Sequence, residues 1–269
     1  MRIEKAKIHL VIRLLCESSG IRAISRLTGL HQETVLKILK ISGELSSNFT
    51  EQKVKDLKCE VVQADELHTT VYSKEFNTNS KDTHIGSQYT FLAIDAKSRL
   101  VINAHTGQRT TENAVKFLTD LRRRTSGRFQ LNTDCWRGYY GQRNSVKAVF
   151  GNEIDHATEQ KHFWKTSAFV SRSLAKTERK ARIGNPDISK GSTSYVERLN
   201  LSVRHFNRRF TRCTPAFSKK LVNLRYSVSL FVWSINFARK HGTIKTTPAI
   251  AAGISTAIVT VQELWNCGD

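Results

Sequence analysis

The sequence predicts a small all-α unit followed by an α/β domain with a mixed sheet and helices on both faces. Three observations carry that expectation. The 269-residue chain, 39% apolar, is long enough for one large core or two modest ones. Apolar residues recur at helical spacing early in the chain and in strand-like runs after residue 60. Three strand runs in succession, then helix and strand in alternation, describe a sheet with parallel and antiparallel pairs.

The elements follow in order. Ile8, Val11, Ile12 and Leu15 mark one helix face, ended by Ser18-Ser19-Gly20. Helices over Ile21 to Leu27 and about His31 to Ile41 flank Thr28-Gly29-Leu30, the outline of a helix-turn-helix unit. In that outline His31, Gln32, Thr34 and Lys37 face outward toward DNA; a hairpin used for packing or dimerisation fits the same pattern. The polar stretch from Ser42 to Lys58 reads as connecting chain. The predicted organisation is therefore a DNA-binding unit at 1–45, a linker at 46–58, a main domain at 59–245 and a tail at 246–269.

Strands are expected over Val61 to Asp65, Tyr89 to Asp95, Leu100 to His105 and Phe129 to Asp134, with a ragged connection from Thr69 to Ser87. A helix over Thr111 to Arg124 follows the third strand, capped by Thr-Thr-Glu. A short helix from about Gly141 to Phe150, a strand near Ile154 to Ala157, and helices from Ser194 to about Lys240 with a break at Thr214-Pro215 complete the pattern.

Charge narrows the partner. The chain carries 43 Lys+Arg against 23 Asp+Glu, net +20, which points to a polyanion. The excess is uneven: Lys161 to Arg225 holds 16 Lys/Arg and three Asp/Glu. No run of 18 apolar residues occurs, and the start Met1-Arg2-Ile3-Glu4-Lys5 lacks a signal peptide's apolar core, so no membrane partner is expected. Five scattered cysteines form no CxxC pair and nine histidines form no HxxxH pair, which argues for a reduced cytosolic protein without structural zinc.

Within that basic chain three carboxylates stand out. Asp65 and Asp134 are placed where strands leave the sheet, and Glu197 lies in a helix otherwise almost free of acids. Such a trio repels itself unless divalent cations neutralise it, and oxygen ligands suit Mg²⁺. Asn200 and Arg204 follow Glu197 at i+3 and i+7, on the same helix face. Alternation along an extended strand turns Glu66 away from Asp65, so only one of them is expected in the site. Asp95 reads as a turn residue, and Asp155 and Glu159 lack an evident partner.

Tyr195-Val-Glu-Arg-Leu-Asn-Leu201, then Arg208-Arg209-Phe210-Thr211-Arg212 and Ala216-Phe217-Ser218-Lys219-Lys220, resemble the signature of the IS-one-like insertion-sequence transposases. Thr133-Asp134-Cys135-Trp136-Arg137-Gly138-Tyr139, Asp65-Glu66-Leu67 and Thr247-Pro248-Ala249 with Ala251-Ala252-Gly253 resemble the family's other blocks, so the likeness spans most of 60–255. His68 departs from the aromatic residue often found there, and the Cys-rich element of some relatives is missing.

The resemblance implies a ribonuclease-H-like DDE domain that cuts and joins DNA with two Mg²⁺ ions, Mn²⁺ being an alternative. Asp65, Asp134 and Glu197 would be both the catalytic residues and the metal ligands. Asn200, Arg204, Arg208, Arg209, Arg212, Lys219 and Lys220 would hold double-stranded DNA, both the element's terminal inverted repeats and the target. It further implies a homodimer or larger assembly on DNA in a prokaryotic cytoplasm, at the nucleoid. A DNA-binding regulator derived from a transposase, without catalysis, is the rival reading.

Two further groups carry expectations of different kinds. Trp136, Tyr139 and Tyr140 are taken as packing residues in preference to a base-stacking platform. Gly184-Asn185-Pro186-Asp187, with the basic run Arg179-Lys180-Ala181-Arg182 before it, is expected to form a mobile loop against DNA.

Overall fold

A computed structural model describes residues 3–74, 82–164, 174–212 and 214–268. Part of the expected Thr69–Ser87 connection and, from the basic stretch, Lys165, Arg172 and Cys213 lie outside them.

The chain begins with three helices, α1 (Lys5–Cys16), α2 (Ile21–Thr28) and α3 (Gln32–Lys53). Gly29 (φ 69°) provides the left-handed residue that ends α2 and lets the chain turn into α3. His31 caps α3, its Nδ1 accepting from the Glu33 amide at 3.4 Å. The segment 46–58 expected as a linker is helical through Lys53. Ser42, Gly43, Ser46 and Thr50 are polar or small, hence the linker-like composition, yet all four are buried. They form a low ridge on which α8 (Leu221–Trp233) packs closely.

The sheet has six strands: β1 (Val61–Val71), β2 (Gly86–Asp95), β3 (Val101–Gly107), β4 (Gln130–Asp134), β5 (Asp155–Phe163) and β6 (Leu174–Ile183). Their order is β3-β2-β1-β4-β5-β6. β1, β2 and β3 pair antiparallel, β4 and β5 run parallel to β1, and β6 closes the edge antiparallel to β5. This mixed sheet with flanking helices is the ribonuclease-H-like arrangement. Helices α4 (Thr111–Arg124), α5 (Arg137–Tyr140) and α6 (Ser145–Phe150) lie on one face. There Val62, Ala64 and Phe91 pack with Phe117, Leu121 and Tyr139. The other face is covered by α7 (Ser194–Phe206) and α8, where Leu67, Val71 and Leu92 meet Val196, Leu199 and Leu224.

Three boundaries move. β1 runs on for six residues past Asp65, because Leu67, Thr69 and Val71 still find a buried face and β2 still offers partners. The basic run 179–182 is a strand, not a loop: β6 pairs Arg179 with Glu159 and Lys180 with Thr158. The 246–269 segment is no loose tail, since α9 (Pro248–Ala251) and α10 (Val261–Asn266) bury Ala249, Val261 and Leu264 in the same cluster as Val11, Ile38 and Phe117. Among the described residues, no helix is long and apolar enough to cross a membrane.

Candidate active site

Parallel pairing of β1 with β4 fixes the central geometry. Ala64 sits opposite Thr133, so the next residue on each strand, Asp65 and Asp134, stands at the same level on neighbouring strands. Glu66 joins them: Asp65, Glu66 and Asp134 each offer an oxygen, all within 4.8 Å of one another. The expectation that alternation excludes Glu66 is therefore overturned. Its side chain does point to the α4 face, but Asp134 ends its strand at a level where carboxylates from both faces of β1 reach it.

Burial and crowding leave these acids poorly solvated as anions. Burial first and Asp134 second push the Asp65 carboxyl up to about 7. The same two causes raise Glu66 to about 8, against the opposing pull of Tyr139 and Arg109. Arg109 supplies the local positive charge. It donates to Glu66 Oε2 through Nη2 at 2.8 Å and Nε at 3.1 Å, and to Asp134 Oδ2 at 3.2 Å. Its guanidinium carbon lies 4.8 Å from the centre of the Trp136 ring. Sequence reading missed Arg109, which sits in the loop before α4 with no motif to mark it.

The sheet also positions α7. Gln63 Oε1 accepts from the amides of Tyr195 (2.7 Å) and Val196 (3.1 Å), satisfying two N–H groups that a helix start leaves open. Asn132 donates to the carbonyls of Lys190 (2.6 Å) and Ser192 (3.1 Å), tying the incoming loop to β4. Asn200, nearly two turns into α7, donates to Asp65 Oδ2 at 2.7 Å.

Glu197 faces the same region but is held elsewhere. Lys161 on β5 donates to its Oε2 at 2.6 Å and the Thr193 hydroxyl lies 2.8 Å from its Oε1. That hydroxyl is also 2.7 Å from Oε2 of buried Glu159, so its single hydrogen serves two carboxylates. Burial disfavours the Glu159 charge, but Thr193 and Arg179 outweigh it and hold the carboxyl below its usual range. Among the described residues, the oxygen cluster contains Asp65 and Asp134 but not Glu197.

The remaining candidates divide. Arg208, Arg212, Lys219 and Lys220 are exposed and Arg204 is half-buried. Arg209 is turned inward: its guanidinium bonds Ser218 Oγ at 2.8 Å and Ser227 Oγ at 3.3 Å, which makes it a tie between segments and not a surface contact. On α3, His31, Gln32 and Lys37 are exposed and Thr34 half-buried. Tyr139 is fully buried, and Trp136 packs against it with ring centres 5.2 Å apart, so the packing role holds for both. Asp95 is a turn residue, its Oδ2 accepting from the Ser98 amide at 2.8 Å.

An all-oxygen set of three acids within 4.8 Å, two of them holding protons near neutrality, fits a small hard divalent cation. A cation there would relieve the repulsion that Arg109 only partly offsets.

No known protein-family profile and no curated protein sequence matches the chain. Solved structures do. One is the cryo-EM structure of the simian T-cell lymphotropic virus intasome in complex with PP2A regulatory subunit B56 gamma, at 17% identity and TM-score 0.44, covering 96% of this chain and 77% of that one. Another is the catalytic core domain of BIV integrase, at 16% identity and TM-score 0.36, covering 71% and 91%. A third is the Mos1 strand transfer complex, at 11% identity and TM-score 0.24, covering 57% and 58%.

Proposed function

We propose that the chain is a DDE-type DNA transposase that binds the ends of an insertion sequence and performs strand cleavage and strand transfer. The observation that carries this reading is the meeting of Asp65, Glu66 and Asp134 oxygens within 4.8 Å on neighbouring strands of a ribonuclease-H-like sheet. Asp65, Asp134 and Glu197 would hold Mg²⁺ or Mn²⁺, which when bound activates the attacking oxygen and stabilises the leaving one. Asn200 keeps the Asp65 carboxylate oriented from α7. Lys161 neutralises Glu197 until that ion pair opens to complete the set. His31, Gln32, Thr34 and Lys37 on α3 would read the end sequence. Arg204, Arg208, Arg212, Lys219 and Lys220 would hold backbone phosphates, a role in which Arg209 has no part.

Glu66 is favoured as the third acid by position, and Glu197 by the sequence resemblance. A cleavage assay on DNA spanning the borders of the gene, with Mg²⁺ or Mn²⁺, separates them. Glu197→Gln is expected to lower the rate at least about a hundredfold, with Glu66→Gln retaining most of it. The reverse order would move the third ligand to Glu66. End-specific binding with no cleavage by the unaltered chain would favour the non-catalytic regulator. Short inverted repeats at the gene borders, flanked by duplicated target bases, support the insertion-sequence reading independently.

A further inference from the structure

The proposed chemistry uses one face of α7 only. At 3.6 residues per turn, Glu197, Asn200 and Arg204 share one side, and Tyr195, Arg198, Ser202 and Phe206 lie about half a turn away. That second side walls a cleft of about 640 Å³, closed by the β2–β3 turn and by the segment after α8.

Two properties define the cleft. Its rim is cationic, formed by Arg99, Arg198, Arg239 and Lys240 with His241 beside them, and no carboxylate occurs among its described lining residues. Its floor is apolar, formed by Ile94, Leu199, Phe206 and Ile235. Arg239 is already matched, donating to the Cys16 carbonyl at 3.4 Å and ion-paired with Glu17, which lies outside the lining. Arg99 is not: its Nη1 is buried with no hydrogen-bond partner. Its backbone adopts φ 63°, unusual for a residue with a side chain, and this places its guanidinium carbon 3.3 Å from the centre of the Tyr195 ring. Burial first, and the nearby Arg99 and Arg198 charges second, hold His241 below its ordinary range.

We propose that this cleft binds a nucleotide, its phosphate on the Arg99–Arg198 rim and its base against the apolar floor beside Tyr195. The site is separated from the carboxylate cluster by the thickness of α7 and does not depend on the cleavage chemistry. A cationic rim without acids selects the phosphate. An arginine-stacked tyrosine over an apolar floor suits the flat face of a base. The nucleotide belongs either to a DNA strand or to a free mononucleotide.

Photo-cross-linking of the full chain to a single-stranded oligonucleotide carrying 5-iodouracil, mapped by mass spectrometry, tests this. Cross-links are expected at Tyr195 or Phe206 on the cleft side of α7, or within 235–243. Competition by millimolar dUMP identifies a free-nucleotide site; competition by unlabelled strand alone identifies a strand-borne one. Arg198→Ala and Arg99→Gly should each lower the yield at those positions about tenfold or more. Mn²⁺ binding at the carboxylates should be unchanged in both. Arg99→Gly is compatible with the positive φ, so it removes the charge without straining the turn. No cross-link at those positions, or undiminished yield in both variants, overturns the proposal.

Discussion

Asp65 and Glu66 keep their protons to about pH 7 and 8, against ordinary values of 3.8 and 4.5, mainly because burial penalises the anion and Asp134 repels it. A folded-state value raised above the unfolded one makes its stabilising contribution below about pH 4, and that contribution is lost as pH climbs through 7 to 8. In the presence of a chelator, the melting temperature should therefore fall between pH 5 and 8.5. Asp65→Asn should flatten that fall by a few °C, because an amide takes up no charge, and Asn200 can still donate to it. Identical pH slopes for the two proteins would contradict the burial of Asp65 as a neutral acid with a raised titration range. At this scale the sequence was legible for Asp134, which ends its strand as expected, whereas Asp65 was singled out as a strand end and lies within β1. It misled on Glu66, because alternation predicts which face a side chain takes but not that a neighbouring strand ends level with it. Arg109 had no sequence signal, since its role arises only when the loop before α4 meets the ends of β1 and β4.

Among the elements, α3 departs most from expectation, and its reason is testable. A Cβ at Gly43 would lie 2.6 Å from Cβ and 2.7 Å from Cα of Tyr226 on α8, so the two helices touch almost backbone to backbone. Gly43→Ala should destabilise the protein by about 1–3 kcal/mol in urea unfolding. Gly20→Ala, with no atom within 4 Å of its would-be Cβ, should change stability by less than about 0.5 kcal/mol. Equal effects would mean that α3 and α8 are not in close contact. Small polar residues on a buried helix face look like linker composition, which is why the segment after Ile41 was misread. β6 was misread for a related reason: only its last residue, Ile183, is buried, so a basic edge strand carries the composition of a loop. The strands that line the centre of the sheet were legible because burial on both faces leaves near-continuous apolar runs.

Over the whole molecule, the helical unit and the sheet share one core. Val11, Ile24 and Leu39 belong to the same buried cluster as Phe91, Phe117 and Trp233. Thermal unfolding should consequently show a single transition by both far- and near-ultraviolet circular dichroism; two separated transitions would restore an independent N-terminal domain. Deleting residues 1–45 would strip that core and remove more than the proposed DNA contacts. Sequence recognition is better tested by exposed substitutions such as Gln32→Ala and Lys37→Ala, which leave the cluster intact. The net charge of +20 pointed to a polyanion from composition alone. Placement of the cations on both sides of α7 came only with the fold, because helical phase and sheet pairing decide which residues share a surface.

The proposed chemistry turns on Asp134, where β4 ends beside Asp65 and Glu66. Its direct test is Mg²⁺-dependent cleavage of DNA containing the gene borders by the intact chain and by Asp134→Asn, with folding of both checked by circular dichroism. Metal-dependent nicking by the intact chain, reduced at least about a hundredfold in the variant, is the expected result. Nicking that survives the substitution, or no nicking by the intact chain with either Mg²⁺ or Mn²⁺, would contradict the assignment of this carboxylate cluster to DNA strand chemistry.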